Sequence, residues 1–163
     1  MKVLSVLAHQ NTTSFTAQLS DSFNAGVLSQ ASSNIRVKNI FHDSFEDIKE
    51  SVAWADHLCF AFPLWFEMPP SELVKFFQQT FVLGFAFEYV DGKRILLIDK
   101  KATFLVSMGQ NKSYNSCNLQ EAMQYSGIVS KFATFHGVGP SMSTDLAETY
   151  KNLAYRLGVS ACR

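Results

Sequence analysis

Neither sign of charge predominates in this chain, where 14 Lys and Arg stand against 14 Asp and Glu for a formal net charge of zero. A balanced chain exerts no long-range pull on phosphate backbones or anionic lipid, so a globally basic nucleic-acid binder is disfavoured and no nucleic-acid partner is expected. Cysteine is scarce as well. Cys59, Cys117 and Cys162 lie far apart, and no pair has the spacing of a zinc knuckle or a redox dithiol. Cys59 falls in an apolar run and reads as inert core, and no metal site is expected. The eight glycines and four prolines are scattered, with no repeat, Pro-rich linker or charge block to divide the sequence. One domain over 1–163 is therefore expected. No window approaches ~20 unbroken apolar residues, so no transmembrane helix is expected. The start, Met1-Lys2-Val3-Leu4-Ser5-Val6-Leu7-Ala8, lacks the apolar stretch and cleavage site of a signal peptide, and a cytoplasmic location follows as an expectation. Neither GxGxxG nor GxxxxGK[ST] occurs, which removes the two standard glycine-based phosphate signatures.

Large apolar side chains are plentiful. The 163 residues are 47% hydrophobic, 17% charged and include 15 Phe, which excludes disordered and low-complexity classes. A chain of this length buries roughly 70% of its unfolded surface and needs no disulfide or structural metal to complete a core.

Val3 to Ala8 suits a buried strand, and His9-Gln10-Asn11-Thr12-Thr13 ends it. Ser14 then caps a helix on which Phe15, Leu19, Phe23 and Val27 recur at helical spacing. Ile35 to Ile40 alternates as a strand, Phe45, Ile48, Val52 and Ala55 mark a second helix, and Leu58 to Phe62 is an apolar strand closed by Pro63. After Pro69-Pro70, Leu73, Phe76, Phe77 and Phe81 give a third helix. Phe85–Val90 and Ile95–Ile98 flank Asp91-Gly92 and allow a hairpin. Strands over 103–106 and 132–138, with helices over 118–125 and 146–157, complete the pattern. Strands and helices alternate, which argues for an α/β fold: an open parallel sheet with helices on both faces. Ligands of such sheets bind beyond the carboxyl ends of the strands.

Three segments fall at such ends. His9 to Phe15 is rich in hydroxyls and amides and can hold an anion such as phosphate, or can simply cap the helix. Pro63-Leu64-Trp65-Phe66-Glu67-Met68 puts large apolar groups where a loop leaves the sheet. A flat aromatic ligand packing there gains ~0.5–1.5 kcal/mol per good ring pair beyond burial, and the alternative is a core cap or dimer contact. Ser107 to Tyr114 offers successive amides, a phenol and one cation, Lys112, for negative charge on a bound heterocycle, or is an ordinary polar loop.

Taken in order, Val3–His9 with Thr13-Ser14-Phe15, Ala55-Asp56 before Phe62-Pro63-Leu64-Trp65-Phe66, and Gly84-Phe85-Ala86-Phe87-Glu88-Tyr89 resemble the flavodoxin-like NAD(P)H:quinone oxidoreductase family. That group includes DT-diaphorase and bacterial quinone reductases associated with potassium-efflux systems. The resemblance covers most of the chain and implies a flavodoxin-like open sheet of five parallel strands. It also implies bound FMN or FAD, NAD(P)H as electron donor, and a quinone or similar acceptor. His9, Thr13, Ser14, Phe15 and Thr16 would surround the phosphate or ribityl chain. Pro63, Leu64, Trp65 and Phe66 would lie along the isoalloxazine, and Ser107, Met108, Gly109 and Gln110 would face its pyrimidine edge. Gly109 and Tyr114 would act in the reaction, Tyr114 as the nearby phenol. The chain departs from the family's usual Thr-Gly-Gly at Met108-Gly109-Gln110, and no histidine follows Tyr114 as one does in DT-diaphorase.

The resemblance further implies a homodimer, with Phe85, Phe87 and Tyr89 of one subunit roofing the flavin of the other. Two other readings stay open. One is a flavin-binding regulatory subunit serving a membrane transporter, which the substitutions at Met108 and Gln110 favour. The other is a flavodoxin-like electron carrier, which the zero net charge opposes.

Overall fold

The computed structural model describes residues 1–96, 98–111 and 114–163, with the side chain of Cys117 left aside. Lys112 and part of the expected strand 95–98 therefore lie outside the described residues.

Strands β1 (Lys2–Leu7), β2 (Asn34–Asn39), β3 (His57–Pro63), β6 (Lys100–Ser107) and β7 (Ile128–Phe135) form a parallel sheet in the order β2-β1-β3-β6-β7. The winding reverses between β1 and β3, which places a crevice beyond their carboxyl ends. A separate antiparallel hairpin, β4 (Phe87–Val90) and β5 (Lys93–Leu96), turns on Asp91 and Gly92, both at positive φ, as the Asp-Gly signal predicts.

Helices α1 (Phe15–Leu28) and α5 (Thr144–Ala161) cover one face of the parallel sheet; α2 (Phe45–Trp54), α3 (Ser71–Thr80) and α4 (Cys117–Tyr125) cover the other. Period-two alternation divides the buried residues accordingly. Leu4, Val6, Leu58, Phe60, Phe62 and Phe104 point to the α2–α4 side, where Phe104 stacks on Phe132 at 4.5 Å. Val3, Cys59, Ala61, Leu105 and Phe135 point to the α1–α5 side. Burial pushes the Cys59 thiol well above its ordinary pKa, so it stays protonated and inert. The two helices on that side cross in close contact. A Cβ on Gly26 would meet the Tyr155 carbonyl oxygen at 2.1 Å, and one on Gly158 would meet that of Phe23 at 2.0 Å. Ser14, Ser44 and Ser143 cap α1, α2 and α5 by accepting the amides of Ala17, Asp47 and Leu146.

One strand differs from the expectation. The apolar run 132–138 predicts the last strand there, whereas β7 begins at Ile128 and ends at Phe135. Gly127, at φ 81°, turns the chain out of α4 beside the Ile98 carbonyl, and pairing starts at the next residue. Because β7 is an edge strand, its early positions include an exposed Val129 and Lys131, and the alternation that marks a half-buried strand is blurred. Residues 136–138 leave the strand and fold back, the Val138 amide donating to Met108 O at 3.0 Å. Among the described residues no helix is long and apolar enough to cross a membrane.

Candidate cofactor site

The carboxyl ends of β1, β3 and β6 open into a cavity of about 910 Å³. Three loops build it, and each spends its polar groups differently.

In the first loop the Asn11 amide donates to Nδ1 of His9 at 2.9 Å. A neutral ring that accepts at Nδ1 carries its proton on Nε2, and burial lowers the His9 pKa, so the neutral form is favoured. The ring meets Trp65 edge-on at 5.6 Å. Asn11 organises the helix start: its Oδ1 accepts from the amide and hydroxyl of Thr13, and its carbonyl accepts from the Ser14 amide. Ser14 Oγ accepts from Ala17. Two of the four orphan amides of α1, those of Phe15 and Thr16, keep no partner among the described residues. They give the cavity an end suited to anions.

In the second loop Trp65 and Met68 exchange both backbone hydrogen bonds, at 3.1 and 3.0 Å. The two residues between them, Phe66 at φ 52° and Glu67 at φ 65°, occupy left-handed backbone without being glycine. That conformation costs an L-residue roughly 1–2 kcal/mol. The tip leaves Phe66 94% exposed and Trp65 half-exposed over the cavity.

The third loop follows β6. The Met108 amide is committed to Phe135 O at 2.9 Å and its carbonyl to Val138. The expected row of donors is thereby shortened to Gly109 and Gln110, whose amides have no partner among the described residues. At the cavity floor Thr16 Oγ1 lies 2.7 Å from Ser107 Oγ. Tyr114 is half-buried against Phe132, and burial raises its pKa, so the phenol keeps its proton.

His9, Ser14, Phe15 and Thr16 line the cavity, as do Pro63, Leu64, Trp65 and Phe66, and Ser107, Met108, Gly109, Gln110 and Tyr114. Thr13 does not; its hydroxyl is turned to Asn11. Phe85 and Phe87 are half-buried against the core on the α2–α4 side, and neither they nor Tyr89 line this cavity.

The Flavodoxin_2 family model, described as a flavodoxin-like fold, matches residues 1–154. The chain belongs to that family. The fold is shared with the NAD(P)H:quinone oxidoreductase from Methanothermobacter marburgensis, 23% identical over 98% of each chain with a TM-score of 0.84. It is shared equally with Smu.1420 from Streptococcus mutans UA159, at 19% identity over 98% of this chain and 100% of that one, TM-score 0.84. An FMN-dependent NADH-azoreductase from Bacillus anthracis str. Ames Ancestor, solved in complex with FMN, superposes with a TM-score of 0.83 at 13% identity over 99% of each chain. No curated protein matches the chain.

Sequence reasoning misses Glu67, Asn115 and Val138 in the lining, and His136 behind it. His136 sits just past β7 with Nε2 3.1 Å from Thr134 Oγ1 and Nδ1 3.4 Å from the Gln110 carbonyl, while the Tyr150 hydroxyl donates to the His136 carbonyl at 3.0 Å. A carbonyl only accepts, so Nδ1 carries the proton in that contact. The only available signal was a histidine at the end of an apolar run, which a strand frame extended to residue 138 conceals.

Proposed function

We propose that the chain is a flavin-dependent NAD(P)H:quinone oxidoreductase, with FMN or FAD as cofactor and a quinone or related flat molecule as acceptor. The observation that carries the reading is the set of chemistries that meets in one cavity. Helix amides and hydroxyls, aromatic and aliphatic walls, and loop amides without a partner among the described residues converge there. That set matches a phosphate, a polyol chain and a planar ring with a polar edge. The fold neighbours named as a quinone oxidoreductase and an FMN-dependent azoreductase support it.

A bound flavin would supply two-electron hydride chemistry between nicotinamide and acceptor. The chain's own residues have distinct tasks. The Phe15 and Thr16 amides and the Ser14 hydroxyl hold the anionic end, where the α1 dipole adds favourable potential. Leu64 and Trp65 flatten one wall and exclude water, and the Gly109 and Gln110 amides favour negative charge at the ring edge. Hydride delivery requires no acid–base side chain, and the protonated Tyr114 serves as a hydrogen-bond donor.

The test is a fluorescence titration of the protein with FMN, followed by NADH and NADPH oxidation with a soluble quinone. Saturable binding and flavin-dependent turnover are expected. Ser14→Ala should weaken FMN several-fold, since a hydrogen bond to a charged group contributes ~1.5–3 kcal/mol. Absence of FMN and FAD binding would remove the reading. Bound flavin without turnover would favour the regulatory reading, in which the chain partners a membrane transporter; the side chain of Gln110 on the cavity rim is the feature that supports it.

A homodimer belongs to the same proposal. All three members of that trio contact their own chain, Phe85 against Phe81, Phe87 against Tyr125, and Tyr89 with its hydroxyl 2.6 Å from that of Tyr125; Tyr89 is the most exposed of them. The exposed Phe66 borders an apolar groove between Met68, Pro70 and Val74, a knob beside a hole that a two-fold axis makes self-complementary. Phe66→Asp should shift sedimentation toward monomer.

A further inference from the structure

The segments that follow β6 and β7 are laced together beyond the sheet. The Met108 amide donates to Phe135 O at 2.9 Å and the Val138 amide donates to Met108 O at 3.0 Å, so pairing continues one step past the strands. Gly137, at φ 67°, turns the second segment back to make that step. The next link comes from a side chain, with Nδ1 of His136 lying 3.4 Å from the Gln110 carbonyl. The ring that makes this link is itself oriented. A carbonyl only accepts, so Nδ1 carries the proton, and the neutral ring then accepts at Nε2, where the Thr134 hydroxyl stands at 3.1 Å. Thr134 thus selects the tautomer that the Gln110 carbonyl requires. The His136 backbone is fixed separately: the Tyr150 hydroxyl donates to its carbonyl at 3.0 Å, and the Tyr150 ring packs edge-on against Phe135 at 5.2 Å. None of His136, Thr134 and Tyr150 lines the cavity. Together they brace, from behind, a residue whose own amide has no partner among the described residues.

We propose that His136 is a positioning residue whose Nδ1–H holds the Gln110 carbonyl back toward β7, so that the Gly109 and Gln110 amides, and not that oxygen, meet the ring edge of a bound flavin. This rests on the flavin reading above and adds to it a residue that touches no ligand atom. Loop amides stabilise charge only while they are held in the required direction, which is what a side chain locked by its own hydrogen bonds secures. Reduction adds negative charge to the ring, so the brace favours the reduced flavin and acts on the potential more than on binding.

The experiment has two arms. In the first, nitrogen-15 spectra of the imidazole in the flavin-free protein, at mildly alkaline pH, read the tautomer directly. A protonated Nδ1 and a bare Nε2 are expected in wild type, and Thr134→Val should release that preference; a wild-type ring protonated on Nε2 overturns the brace before any flavin is added. The second arm compares His136→Phe, His136→Gln and His136→Asn with wild type, each loaded with FMN, with thermal unfolding to confirm that each is folded. An Asn side chain places an amide donor at the reach of Nδ1, and a Gln side chain places one at the reach of Nε2. Equilibration with a reference dye should show His136→Phe and His136→Gln biased against reduction at least fivefold, a midpoint lowered by about 20 mV or more for a two-electron couple. His136→Asn should stay within a twofold bias, about 9 mV. An unshifted midpoint in His136→Phe overturns the proposal, and so does equal behaviour of the Asn and Gln variants, which would show that the Nδ1 donor is not what matters. Failure of the wild type to bind FMN or FAD overturns the flavin reading and the redox role with it, an outcome that the tautomer spectra keep distinct from a missing brace.

Discussion

At the amino ends of β1, β3 and β6, polar groups close on one another. The Lys2 amide donates to Asp56 at 2.8 Å, His57 Nε2 lies 2.9 Å from Thr103 Oγ1, and Lys100 Nζ caps the Ala53 and Ala55 carbonyls at the end of α2. At the carboxyl ends of the same strands the accounting stays open. Amides at Phe15, Thr16, Gly109 and Gln110 lack partners among the described residues, the Thr16–Ser107 hydroxyl pair lines the cavity, and a turn runs through left-handed backbone without glycine. Polar groups satisfied internally contribute to stability, whereas groups left open and strain left unrelieved are what a ligand can use. One end of the sheet is thus organised for folding and the other for binding.

The largest expected effect breaks the closed end. Burial, with Lys101 and Lys131 nearby, lowers the His57 pKa from 6.5 to about 4. The folded chain refuses a proton that the unfolded chain accepts below 6.5. His57 therefore contributes its full share of stability above about pH 6.5, and that share is lost as pH falls toward 4. Linkage puts the loss between pH 7.5 and pH 5 at about 2 kcal/mol. Urea unfolding at the two pH values should show it in wild type and show much less in His57→Gln, which retains an amide for Thr103. Equal pH slopes in the two proteins would remove His57 as the cause.

A smaller effect sharpens the comparison at the open end. The two tight hairpin turns differ in chemistry: Asp91-Gly92 is suited to positive φ, and Phe66-Glu67 is not. Replacing the second pair by Phe66→Asn with Glu67→Gly should raise stability by about 1 kcal/mol, because the strain is relieved and the lost side chain was exposed. Quinone KM should rise at the same time as the aromatic rim disappears. Increased stability with unchanged KM would show that the strained tip serves some contact other than the acceptor.

These contrasts also explain what the sequence revealed. Strand β1, the Ser14 cap and the Asp91-Gly92 hairpin rest on neighbouring residues, so local pattern suffices. The three loops were legible because in an alternating parallel fold every strand end faces the same side. Contacts between distant segments were not. Nothing near Thr16 announces Ser107, nothing near Gln110 announces His136, and the helix crossing at Gly26 and Gly158 joins the first helix to the last. Thr13 was assigned to the cavity by the loop's polar composition and the family resemblance, and a hydrogen bond to Asn11, two residues away, turns it aside. The left-handed turn at Phe66 and Glu67 carries neither glycine nor asparagine, so its conformation comes from the closing bonds between Trp65 and Met68.

The smallest effect probes whether the open end is partly obstructed. Gln110 stands on the cavity rim, exposed, where the family resemblance leads to a second glycine. Beside it, Gly109 has room: an added Cβ would meet only the Val138 carbonyl, at 3.6 Å. On the flavin reading, Gln110→Gly would remove a side chain from the approach of nicotinamide or acceptor, while leaving the carbonyl that His136 contacts and the amide assigned to the ring edge. Flavin affinity should therefore change little. Turnover with quinone should rise about threefold, equivalent to roughly 0.6 kcal/mol of barrier. Steady-state kinetics on matched FMN-loaded samples measure it. Equal or lower turnover in the variant would show that the side chain does not narrow the site, and a fall in flavin affinity would show instead that the loop needs Gln110 to hold its shape.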